Sequence, residues 1–176
     1  LRANIGDCVK IKLTNRLKSG NASLHANNIA FDPLTSQGIN VGNNPGDQTV
    51  APGKSKNYEF YAHPDYNING ALLWDFGNLT TNVRDGMFGG IIIGPRGSVY
   101  RDPATGKDIS LGNSWKADVI IDKSFPENAN LSNYRDFALY FQDEDNIIGT
   151  SFMPYLQNVA GLTGVNYRLE PWLYRE

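Results

Sequence analysis

The sequence predicts an all-β protein built as an antiparallel sandwich or barrel. Three observations carry this. Apolar residues recur with a period of two, Gly- and Pro-rich turns separate the periodic runs, and no long segment holds a 3.6-residue apolar period between helix caps.

In chain order, Val9, Ile11 and Leu13 alternate with Cys8, Lys10, Lys12 and Thr14, the pattern of a strand buried on one face. Gly38 to Gly46 is a glycine- and asparagine-rich loop. Ala51-Pro52-Gly53 fits a type II turn, with Pro at its second position and Gly at its third. The next strand alternates Tyr58, Phe60 and Ala62 with Glu59 and Tyr61. Phe88-Gly89-Gly90-Ile91-Ile92-Ile93 lacks alternation and reads as a strand covered on both faces. Asp102-Pro103 with Thr105-Gly106 is a turn cluster. Ala117, Val119 and Ile121 then alternate with Asp118, Ile120 and Asp122. Pro126, several Asn residues and Ser132 interrupt the pattern between Phe125 and Asn133. The last strong run, Tyr134 to Phe141, sets Phe137, Leu139 and Phe141 on one face; this apolar face must be buried somewhere, and in the isolated chain it should stand out as an exposed patch. The expected organisation is therefore a β-domain over 1–125. An extension over 126–176 supplies a strand at a sheet edge or against a neighbouring domain, and Asn158 to Glu176 is its connector.

A chain of 176 residues fits one domain, or one with an extension, and is long enough to fold around its own core. With 40% hydrophobic and 19% charged residues it reads as globular. A formal net charge of -2 gives no basic field, which argues against nucleic acid as a partner. Cys8 is the single cysteine, so no intramolecular disulfide can form. No apolar run approaches the ~20 residues that span a bilayer. A chain opening at Leu1 and running at once into strand-like sequence reads as a processed protein or an excised piece. Asn21-Ala22-Ser23, Asn78-Leu79-Thr80 and Asn130-Leu131-Ser132 are sequons that matter only in a glycosylating, secretory context.

Four stretches stand in a telling order: Leu1 to Leu17 with Gly6-Asp7 and Leu13-Thr14-Asn15; Leu24-His25-Ala26-Asn27; Asp47 to Ala62 around Ala51-Pro52-Gly53; and Ala71-Leu72-Leu73-Trp74-Asp75-Phe76-Gly77-Asn78 followed by Asp85-Gly86-Met87-Phe88-Gly89-Gly90. Together, over about Leu1 to Gly97, they resemble the first domain of multicopper oxidases. That family has a His-x-His pair where His25 and Asn27 stand. It has Trp-Tyr-His-Ser-His where Trp74 to Asn78 stands, followed by Asp-Gly-Leu-Tyr-Gly. Further on, Tyr134 to Asp145 resembles an inter-domain strand of ceruloplasmin-like oxidases. Gly164 to Pro171 is similar to a linker of large bacterial enzymes of that type, some of which oxidise Mn(II). The resemblance implies a Greek-key β-sandwich of cupredoxin type. It also implies a parent that couples one-electron oxidation of a substrate or metal to O2 reduction, and an extracellular, periplasmic or cell-envelope location.

The departures from that pattern decide the chemistry. The family's copper cluster is held by imidazoles from two His-x-His pairs, and its mononuclear copper by a Cys thiolate between histidines. Here Asn27, Phe76 and Asn78 replace three of the pair histidines, and Cys8 has no His-Cys-His surroundings. No catalytic, cofactor-binding or metal-binding residue is therefore assigned within this chain. Copper belongs to the parent, and the partners are its other cupredoxin domains.

His25 is taken as a structural histidine rather than a ligand of a shared site, and His63 as a loop residue. Cys8 is expected beneath a neighbouring layer, as small inert thiols usually are. Asp143-Glu144-Asp145 has oxygen donors suited to Ca(II) or Mn(II) but reads as a solvated turn. Tyr58, Phe60, Tyr61, Trp74, Phe76 and Phe88 read as core rather than as a sugar-binding platform. The architectural oxidase domain is set against two alternatives, an extracellular β-sandwich interaction module without oxidase activity and an independent copper protein.

Overall fold

A computed structural model describes residues 1–40, 46–65, 69–78, 81–83, 85–109, 114–143 and 163–165. In chain order its strands are β1 (Arg2–Asn4), β2 (Cys8–Thr14), β3 (His25–Asn27), β4 (Ala30–Phe31), β5 (Ser55–Tyr61), β6 (Gly70–Trp74), β7 (Phe88–Gly94), β8 (Val99–Arg101), β9 (Lys116–Ile120), β10 (Tyr134–Phe137), β11 (Phe141–Asp143) and β12 (Thr163–Val165). The described residues are all-β apart from one 3₁₀ turn at Pro126–Asn128, and no helix among them is long and apolar enough to cross a membrane.

The strands form a four-stranded sheet ordered β1-β7-β6-β3, two three-stranded sheets ordered β2-β5-β4 and β10-β9-β8, and the ribbon β11-β12. Pairing is antiparallel except between β1 and β7. The first two sheets face each other across one core. Ala26, Ala71, Leu73, Ile91 and Ile93 come from one side and Tyr58 and Phe60 from the other, with Val9, Ile11 and Leu13 packed against them. A second, smaller cluster gathers Tyr100, Ala117, Val119 and Ile121. Each inward set is one phase of a period-two strand, so the alternation in the sequence becomes the two faces of each sheet.

The turn at Ala51-Pro52-Gly53 closes as its residue types require. The Lys54 amide donates to Ala51 O at 3.0 Å, and Gly53 has φ +74°, which the third position of a type II turn needs. Strand β7 runs between β1 and β6 with Ile91 and Ile93 in the core. Its other face is covered at Gly90, where an added Cβ would stand 2.5 Å from Tyr140 Cε1 and 2.8 Å from Ala71 O. Glycine at this position lets the Tyr140 ring lie on the sheet.

Two expectations change. Cys8 is exposed rather than covered. It shares the outward phase of β2 with Lys10, Lys12 and Thr14, all exposed, and β2 is an edge strand. The run Tyr134 to Phe141 is not one strand. β10 pairs with β9 at a sheet edge and ends at Phe137, and pairing resumes at Phe141 against Val165 of β12. The exposed apolar patch expected of the isolated chain is present, with Phe137, Leu139 and Phe141 59%, 63% and 66% exposed, while Asp136, Ala138 and Tyr140 point inward. On this inward phase the Asp136 carboxylate pairs with Arg2, whose side chain is fully buried.

Candidate functional site

Register brings the two candidate motif segments together. β3 pairs with β6 so that His25 lies opposite Trp74, and two residues on, Phe76 reaches the same imidazole. The His25 ring meets Phe76 edge-on at 5.3 Å and Phe31 edge-on at 5.8 Å, and Trp74 stacks on Phe76 at 6.2 Å. His25 is half-buried among these rings.

Both ring nitrogens are engaged. Nδ1 lies 2.6 Å from Gln37 O, a backbone carbonyl that can only accept, so Nδ1 carries a proton. Nε2 lies 3.0 Å from Asn27 Oδ1. With both nitrogens protonated the ring donates to Oδ1. With a neutral ring, a half-turn of the Asn27 amide presents its NH2 to the Nε2 lone pair.

This donor set does not fit a copper site. Three of the positions equated with copper ligands by motif, 25, 27 and 76, are indeed adjacent. They supply one imidazole with both nitrogens occupied, one amide, and a phenyl ring with no donor atom. Among the described residues no group of three or more His, Cys, Asp or Glu could hold a metal ion. His63 lies in the loop after β5, where its Nδ1 accepts from the Asp65 amide at 3.1 Å. Asp143 ends β11, and Glu144 and Asp145 lie outside the described residues, as do residues 41–45 of the glycine-rich loop and most of 158–176. Of the six aromatics read as core, Tyr58 and Phe60 are fully buried, Trp74, Phe76 and Phe88 half-buried, and Tyr61 exposed.

Asp75, between Trp74 and Phe76, escaped the sequence reading. It faces inward with Ala71 and Leu73 and is buried. Its Oδ1 accepts from the Ser23 amide at 3.0 Å, the Gly77 amide at 2.7 Å and Asn82 Nδ2 at 3.1 Å. Its Oδ2 is buried with no partner among the described residues. Burial pushes this carboxyl above its ordinary value, and the three donors oppose that shift. An acid on the inward phase of an apolar strand was the available signal. Ser23 Oγ also accepts from the Phe76 amide at 2.9 Å, which fixes the turn carrying the Phe76 ring.

Beside this cluster lies a cleft of about 410 Å³ between β6, β7 and the segment leading into β9, and it reaches inward to Leu13, Leu73 and Asp75. Leu1, Trp74, Phe88, Trp115, Ala138 and Tyr140 border it. Trp115, itself 45% exposed, contacts Phe137 at 5.8 Å and so joins the cleft to the exposed row Phe137, Leu139 and Phe141. The chain therefore carries a continuous aromatic and aliphatic surface from the cleft to the β10 edge.

No family model matches this sequence, and no curated protein matches it. Among solved structures, a chain of Lac15 from a marine microbial metagenome is similar at 22% identity, with a TM-score of 0.43, over 55% of this chain and 23% of that one. This chain therefore spans less than a quarter of that protein's length.

Proposed function

We propose that this chain is a cupredoxin-like, Greek-key β-sandwich domain of a multicopper oxidase, with an architectural role at a domain interface and no complete copper site of its own. In this reading the other cupredoxin domains hold the copper, and the parent, at the cell envelope or outside the cell, couples one-electron oxidation of a substrate or metal to reduction of O2. The motif order along Leu1 to Gly97 supports the family. The observation that carries the role is the side-by-side placement of His25, Asn27 and Phe76, where one imidazole with both nitrogens engaged stands among an amide and a phenyl ring. The exposed row Phe137, Leu139 and Phe141 supports the interface.

Copper titration followed by dialysis and metal analysis tests the first part. The expected result is no stoichiometric copper, whereas one tightly held copper per chain with an intense band in the red overturns it. The full-length gene product tests the second part. A downstream His-Cys-His block is expected, and a parent without one favours an interaction module with no oxidase activity.

A further inference from the structure

We draw no further inference here: the strongest candidate, the apolar surface running from the cleft beside Trp74 and Tyr140 to the exposed row at the β10 edge, carries nothing beyond the interface already proposed because nothing in the structure shows what covers it.

Discussion

Arg2 and Asp136, 134 positions apart, close a two-point ion pair, with Nη2 2.5 Å from Oδ1 and Nε 3.2 Å from Oδ2. The guanidinium is fully buried and also donates to Ser114 O, and it lies over the Tyr100 ring at 5.8 Å. One side chain on β1 thereby ties down β8, the approach to β9, and β10. Planar, permanently charged arginine suits this task because it can serve a carboxylate, a carbonyl and a ring face at once.

Removing one partner strands the other. Asp136→Ala leaves a buried guanidinium without its carboxylate, and the expected cost is about 3–5 kcal/mol in denaturant unfolding. Replacing both residues, as in Arg2→Met with Asp136→Leu, should cost clearly less than Asp136→Ala alone, because no charge is then left buried. Equal costs for the two variants would show that the pair is not coupled.

Asp75 gives a pH dependence of definite sign. Its folded-state value lies above the ordinary 3.8, so the fold favours the neutral acid. The resulting stability is fully present below the unfolded value and is lost as pH rises through the folded value. Asp47, Asp102, Asp118 and Asp122 are held below 3.8, chiefly by hydrogen bonds, and act in the opposite sense as pH falls through their folded values. The difference between wild type and Asp75→Asn isolates the first effect, since the introduced amide keeps an acceptor for the Ser23, Gly77 and Asn82 donors but cannot titrate. Unfolding midpoints measured from acid upward should show the wild type losing stability relative to the variant as pH climbs from 3.8. A flat difference would mean that the carboxyl titrates at its ordinary value.

How far the sequence speaks depends on the range of the interaction involved. Period-two alternation is local, and it placed Val9, Tyr58, Phe60, Ala117 and Val119 correctly on inward faces. For Tyr134 to Phe141 the same alternation marked Phe137, Leu139 and Phe141 as the face needing cover, but not which phase this chain itself turns inward. That choice lies with distant residues, Arg2 drawing Asp136 inward and Gly90 leaving room for Tyr140. The outward phase of Cys8 was legible, but whether a further layer covers it is a matter of sheet order. The meeting of His25 with Phe76 rests on the register of β3 against β6, which the residue pattern suggests only through family motifs. Asp75 was not singled out from the sequence, and its three donors come from Ser23, Gly77 and Asn82, two of them brought in by folding.

The neighbourhood of His25 can be tested by adding donors. His25→Ala should leave metal content unchanged and cost only about 1 kcal/mol, the net worth of one part-buried hydrogen bond to Gln37 O. Asn27→His with Phe76→His puts two more imidazoles where an amide and a phenyl ring now surround His25. That double variant should bind Cu(II) or Zn(II) at least about tenfold more tightly than the wild type, a gain of roughly 1.4 kcal/mol by calorimetric titration. Equal affinities would mean that adjacency along the sheet does not place the three side chains around a common point.

The exposed row separates a residue's worth to its own fold from its worth to a partner. Fully burying an apolar side chain of this size is worth roughly 1.5–3 kcal/mol, a gain that Leu139 and Phe141 leave largely unrealised within the chain. Leu139→Ser with Phe141→Ser should therefore shift unfolding by only about 0.5 kcal/mol, as surface substitutions do. Association should respond quite differently. Light scattering after size exclusion, over rising concentration, should show the wild-type chain self-associating through this surface and the double variant remaining monomeric. A wild-type chain that is strictly monomeric and keeps Phe137, Leu139 and Phe141 buried within its own core in solution would remove the support for an interface here. So would a double variant that unfolds like a core mutant, because the two side chains would then already be buried by their own chain.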